Sequence, residues 1–173
     1  MSVDLGFDKE RLGRFIKQVQ DDPAAGETVW EATTHWRHGF QSEAHIRTHS
    51  LVMDEPSDLG GSDTGPNMVE VVLGAYGCCL TTGFVANAGM LGIELERVDI
   101  HLQGDLDIRA FFGLEPPHEV CPGYTEVRAT IKLTAPSATD VQLEQLYDSV
   151  VATSPVGAII QRPVRVMTQL ERA

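Results

Sequence analysis

The stretch from Gly65 to about Met90 constrains this chain more than any other. It is the longest apolar run. Its apolar residues fall on every side of a helical projection rather than along one stripe, which predicts a helix buried all round. The break Gly60-Gly61-Ser62-Asp63-Thr64-Gly65 comes just before it, where Asp63 or Thr64 can cap and Pro66 suits a first turn. Gly92 closes the helix near Leu91. Inside the run Gly74, Gly77, Gly83 and Gly89 each cost about 1 kcal/mol relative to alanine. A helix that keeps them all lets another backbone approach, its own copy in a dimer being one candidate. Glu70, Cys78 and Cys79 are the conventional reactive side chains of the segment. With Asn67, Asn87, Glu70 and the glycines in it, the run is not read as a membrane span.

The remainder reads as a case around that helix. Residues 8–20 place Leu12, Phe15, Ile16 and Val19 at helical spacing, ended by Asp21-Asp22-Pro23, so residues 1–26 form an N-terminal helical arm on a single domain covering 1–173. Residues 27–37 and 40–53, rich in Val, Thr, Trp and Ile around His38-Gly39, predict a strand pair. Val98, Ile100, Leu102 and Leu106 alternate with polar residues, as do Val127, Ala129, Ile131 and Leu133, giving two half-buried strands. Between them residues 110–123 form a loop carrying Phe111 and Phe112. Residues 138–152 predict a helix, Ser154-Pro155 opens a short helical turn through Ile160, and Val164, Val166, Thr168 and Leu170 predict a last strand. This order is that of an α+β domain with antiparallel sheet, not a doubly wound parallel one.

Acidic residues number 25 against 13 basic ones, for a net charge of −12, which argues against a nucleic-acid partner. The opening Met1-Ser2-Val3-Asp4 is neither basic nor apolar, so the expected location is the cytoplasm, with no membrane partner. The 3 cysteines suit neither a disulfide framework nor a zinc site, because Cys78 and Cys79 are adjacent, Cys121 is alone and no Cys-x-x-Cys spacing occurs. No cofactor-binding fingerprint or metal-ligand spacing stands out, and none is expected.

Cys78 and Cys79 lie about 100° apart on a helix, so they cannot serve the same face. Either both pack as small hydrophobes, or one enters a pocket while the other packs. A working nucleophile must be the thiolate, and an unassisted thiol ionises near about pH 8.5. Cys79 is roughly three turns inside its helix, beyond useful reach of that helix's N-terminal dipole. A cation must come from elsewhere, and Arg37 or Arg47 on the preceding strands are the candidates. Glu70, about two and a half turns earlier than Cys79, either orients an arginine of a partner subunit or faces solvent. His35, His38 and His45 read as surface residues. Cys121 is either a resolving thiol or a plain loop cysteine.

Asp54-Glu55-Pro56, the stretch Leu59 to Asn67, Glu70 and Gly77-Cys78-Cys79-Leu80 resemble the OsmC/Ohr family of osmotically inducible protein C and organic hydroperoxide resistance proteins. Gly104-Asp105-Leu106-Asp107, Pro122-Gly123-Tyr124 and Ser154-Pro155-Val156 resemble its OsmC-like branch, and the similarity spans residues 28–171. The resemblance implies an intertwined α+β homodimer with long central helices back to back and active sites at the subunit interface. It also implies a reactive cysteine that attacks an organic hydroperoxide, a second cysteine that resolves the sulfenic acid, and a dithiol reductant. In the family an arginine holds the thiolate and a glutamate orients the arginine.

By position, Cys79 matches the reactive cysteine, Cys78 falls where a small residue is usual, and Glu70 falls near the glutamate. Met68 stands in place of a proline. The arginine falls near Arg37 or Arg47, because Met53-Asp54-Glu55 has none. The second cysteine is absent, with Ser154 in its place. Its loss means that an external thiol, Cys78 or Cys121 must resolve Cys79, or that the scaffold does something else. Three functions follow: peroxidase-like reduction of a small apolar hydroperoxide by Cys79; acyl transfer or hydrolysis on a small apolar metabolite, with Ser154 contributing at a helix start; or non-catalytic binding of an apolar ligand.

Overall fold

The computed structural model describes residues 5–172. The element order is α1 (Lys9–Asp21), β1 (Thr33–His38), β2 (Gln41–Ile46), β3 (His49–Met53), α2 (Met68–Leu91), β4 (Arg97–Leu106), β5 (Tyr124–Thr134), α3 (Asp140–Thr153) and α4 (Pro155–Gln161). It is an α+β arrangement with antiparallel sheets. The described residues divide into two compact units, residues 6–74 and, with Leu5, residues 75–172.

The first unit holds α1 and a three-stranded antiparallel sheet in the order β1-β2-β3. Asp8 caps α1 by accepting the Arg11 N–H at 2.8 Å. Residues 40–53 form two strands where the sequence suggested one. Arg47, held at φ 56°, turns the chain between β2 and β3, and Ile46 then pairs with His49. Residues 27–32 lie outside β1.

The loop ahead of α2 is organised by Asp54, whose side chain is fully buried. Its carboxylate accepts the N–H groups of Glu55 (2.9 Å), Ser62 (3.1 Å) and Thr64 (3.3 Å) and the Thr64 hydroxyl (2.9 Å). Burial pushes this carboxyl up, but the bonds from Thr64, Glu55 and Ser62 outweigh it and hold the group below its ordinary range. At Gly61 the backbone passes so near that an added Cβ would stand 1.8 Å from the Glu55 carbonyl oxygen.

The start of α2 differs from expectation. Asn67 is the cap, not Asp63 or Thr64: its Oδ1 accepts the Glu70 N–H while Glu70 Oε2 accepts the Asn67 N–H, both at 2.9 Å. This reciprocal pair is a capping box and satisfies two of the helix's free donors. The other end is as expected, with Gly92 at φ 72° and the Ile93 N–H reaching back to the Ala88 carbonyl at 2.9 Å.

The second unit is built around the C-terminal two-thirds of α2. Gly77, Leu80, Phe84 and Ala88 make one buried stripe at helical spacing. Leu80 and Phe84 pack with Leu146 and Val150 of α3 and with Val98, Ile100, Ile131 and Leu133 of the two-stranded β4-β5 sheet. Fully burying each such side chain contributes about 1.5–3 kcal/mol. Along β4 the burial alternates strictly, which is the predicted period-two pattern. The glycines of α2 make room for side chains: an added Cβ would come within 2.8 Å of Leu102 Cδ1 at Gly77 and within 2.8 Å of Val150 Cγ1 at Gly83. Gly74 faces open space.

Two expectations do not hold within one chain. The helix is buried along one stripe and not all round, since Val72 and Met90 stay exposed. Residues 163–172 form no strand; Val164, Val166 and Leu170 are exposed and unpaired with any strand of the described residues. Alternation predicts which faces a strand would show, but a ladder also needs a neighbouring edge to bond to.

Candidate functional site

Cys79 lies one residue before Leu80 on α2, just off the fully buried stripe, so its sulfur is partly exposed. Continuing from it at helical spacing, Thr82, Gly83, Ala86 and Asn87 share its face. Facing them are Val150 and Thr153 from α3 and Ser154 and Pro155 from the start of α4. Together they line a pocket of about 460 Å³. At Gly83 the missing side chain leaves room for Val150, which fills the space an added Cβ would need.

Ser154 is the junction of the site. As N-cap of α4 its Oγ accepts the Gly157 N–H at 3.1 Å, and the same oxygen stands 3.3 Å from Cys79 Sγ. With one lone pair of Oγ occupied by Gly157, the hydroxyl proton is available to the sulfur when the thiol ionises. Hydrogen bonding to a charged group favours that charge, so Ser154 is suited to holding a thiolate. Tyr76, one turn before Cys79, packs its ring edge near Gly157, where an added Cβ would lie 3.0 Å from Tyr76 Cε2. Burial pushes the Tyr76 phenol up, with Tyr147 and Cys79 adding to the rise.

The other polar side chains of the lining are tied to their own helices. Thr82 donates to the Cys78 carbonyl (3.0 Å), Thr153 to the Ser149 carbonyl (2.7 Å), and Asn87 Nδ2 to the Gly83 carbonyl (2.8 Å). No residue of the lining carries a formal charge.

The expected site residues thus separate. Cys79 and Ser154 come together. Cys78 is exposed and is absent from the lining, as the helical offset between adjacent residues requires. Cys121 is exposed on its loop. Glu70 sits in the α2 capping box. Arg37 is paired with Glu43, through Nε at 3.2 Å and through Nη2, and holds that carboxyl below its ordinary range. Arg47 lies in the β2–β3 turn. His45 also reaches Glu43, at 3.3 Å, and Ser50 at 3.2 Å, on an exposed strand face with the acid already committed to Arg37. Among the described residues no cluster suited to a metal ion occurs.

Thr82, Asn87, Val150 and Thr153 were not anticipated. The signal for the first two was present, as positions three and eight after Cys79 share its helical face. Nothing local pointed to α3. The role of Asp54 has no local mark in the sequence, because it depends on donors supplied by a folded loop.

No curated protein sequence matches this chain. The profile of the family described as OsmC-like protein matches residues 60–169. Among solved structures, an OsmC-like protein of Mycoplasma pneumoniae superimposes with a TM-score of 0.66 at 13% identity, covering 78% of this chain and 89% of that one. An OsmC-like protein of unknown function from Vibrio cholerae gives 0.60 at 10% identity, with 78% and 95% covered. An organic hydroperoxide resistance protein OsmC from Legionella pneumophila gives 0.55 at 15% identity, with 78% and 92% covered. Identities this low speak for the fold alone. The profile spans more than half of the sequence and the shared fold most of it, so the chain belongs to the OsmC/Ohr family.

Proposed function

We propose that this protein reduces small organic hydroperoxides through Cys79, with an external thiol regenerating the sulfur. The observation that supports this most is the partly exposed Cys79 sulfur 3.3 Å from the Ser154 hydroxyl at the wall of a mainly apolar pocket. The thiolate attacks the distal peroxide oxygen, the O–O bond breaks, and the alkoxide leaves and takes a proton to become the alcohol. Cys79 becomes a sulfenic acid. Ser154 has no sulfur to resolve it. A first external thiol therefore condenses with the sulfenic acid, releasing water and giving a mixed disulfide. A second releases Cys79 as thiol and leaves as the oxidised disulfide.

The same reading includes a single domain over residues 1–173 acting in the cytoplasm as an intertwined homodimer, as the resemblance implies. In it Arg37 or Arg47 brings the positive charge and Glu70 orients it. Arg37 is already held by Glu43, which leaves Arg47 as the uncommitted guanidinium of the two. Glu70 keeps Oε1 for such a role while Oε2 closes the capping box.

Turnover of cumene hydroperoxide with a dithiol reductant tests the proposal. Wild type, Cys78→Ala and Cys121→Ala should consume peroxide at similar rates, and Cys79→Ala should not. Undiminished turnover by Cys79→Ala would sink it. The uncharged lining favours a second reading, a pocket that only binds a small apolar molecule. Reaction of folded Cys79 with iodoacetamide no faster than that of a free thiol would support that one.

A further inference from the structure

The helix α1 carries an apolar stripe that the described residues leave largely uncovered. Leu12, Phe15, Ile16 and Val19 share one face at helical spacing. Val19 meets the turn after the helix, where a Cβ added at Gly26 would stand 3.1 Å from its Cγ1. Phe15 and Ile16 stay 49% and 38% exposed. A helix of 13 residues with none buried is marginal by itself in water, so this one needs a surface to lie on. The charges around the stripe are sorted. On the far face Arg14 pairs with Glu10 at 3.7 Å and Lys17 with Asp21 at 3.1 Å. Lys9 and Arg11 flank the stripe, one on each side, and neither pairs with an acid among the described residues.

The loop between β4 and β5 has the complementary character. Ile108, Phe111, Phe112 and Leu114 are all exposed there, Phe111 by 72% and Leu114 by 70%. Their arrangement is fixed. The rings of Phe111 and Phe112 stand edge to face at 5.2 Å, and the Leu114 N–H donates to the Arg109 carbonyl at 2.9 Å. The loop holds Asp107, Glu115 and Glu119 against one arginine, Arg109, which Asp107 binds at 2.6 Å while Glu115 lies 3.7 Å away. Acid is thus in excess beside the aromatic rings.

We propose that α1 of one protomer lays its stripe on the β4–β5 loop of a second copy, with Lys9 and Arg11 against the loop's acids. Both patches are open in the folded chain, so neither covers the other within it. One chain carries both halves of the match, and two-fold symmetry then makes the contact twice. The aromatic side chains anchor such a contact, and the charges set its register. The inference uses none of the Cys79 chemistry, and its test reads no activity.

Benzoylphenylalanine in place of Phe15 tests the contact directly. Illumination of the full chain should give a covalent dimer on a denaturing gel, and peptide mass spectrometry should place its second attachment within residues 108–115. Cross-links confined to single chains, a dimer joined elsewhere, or no cross-link at all overturn the proposal. A second arm reads amide hydrogen exchange across α1. Lys9→Glu with Arg11→Glu puts acids in the first turn, which by itself favours the helix and slows exchange. Docking gives the opposite sign: exchange should quicken by about two- to tenfold at low salt, and adding Glu115→Lys with Glu119→Lys should restore it. Exchange that slows or holds in the first variant, or is not restored in the second, overturns the pairing. Peroxide turnover by Cys79 can stand or fall without moving either reading.

Discussion

At Ser154 one oxygen accepts the N–H that begins α4 and also stands 3.3 Å from the sulfur of Cys79, so a change there should show in both stability and reactivity. Ser154→Ala should lower stability by about 0.5–2 kcal/mol, the usual cost of a lost cap, measured by urea unfolding. It should also slow alkylation of Cys79, whereas Ser154→Thr keeps both properties in large part. Ser154→Cys places a second sulfur beside the first, and mild peroxide should then convert the pair to an intramolecular disulfide, read as the loss of two thiols and two mass units. Absence of that disulfide would mean the two side chains do not meet in solution. Asp54 makes a separate prediction. Its folded carboxyl titrates below the unfolded value of about 3.9, so its contribution is complete above that value and is lost as pH falls through the lower folded one. Asp54→Asn should lower Tm at neutral pH and reduce the slope of stability against pH in that acid range. Cys79 could be singled out from its place in an apolar helix and from the family resemblance. The role of Asp54 could not, because a lone carboxylate in a polar loop has no local mark of the four donors that converge on it.

The elements divide according to whether their stabilising contacts are local. The strands β4 and β5 were legible because a sheet with one face buried imposes a period of two on its own residues, and the same holds for the helical spacing of α3. The cap of α2 lies later than the sequence suggests, since Asp63, Thr64 and Asn67 are all good caps and only geometry chooses among them. The glycines of α2 separate at this scale. Gly83→Ala should crowd Val150 and destabilise by about 1–3 kcal/mol despite the better helix propensity. Gly74→Ala meets nothing in its own chain and should stabilise by about 0.5–1 kcal/mol. Should thermal unfolding show Gly74→Ala to be destabilising instead, another surface covers that position in solution.

At the scale of the whole molecule, the apolar surface left open by a single chain is the main physical problem: Val72 and Met90 on α2, Phe15 on α1, and Val166 and Leu170 near the C-terminus are all exposed. The proposed homodimer accounts for it. Sedimentation should give a mass twice the 18.9 kDa of the chain, and Val72→Asp should shift the protein toward the monomer. A monomer at micromolar concentration would remove the dimer from the proposal. The sequence by itself determined the α+β class, the long central helix, its Gly92 stop and the two alternating strands, because each follows from periodicity or cap chemistry within a short span. Tertiary structure alone decided that Val150 and Thr153 of α3 face Cys79 across the pocket, that the Ser154 oxygen serves the α4 cap and the sulfur together, and that the Thr82 and Thr153 hydroxyls bond to their own helices. The first two outcomes join residues distant in the chain, and no local pattern encodes the meeting of two surfaces.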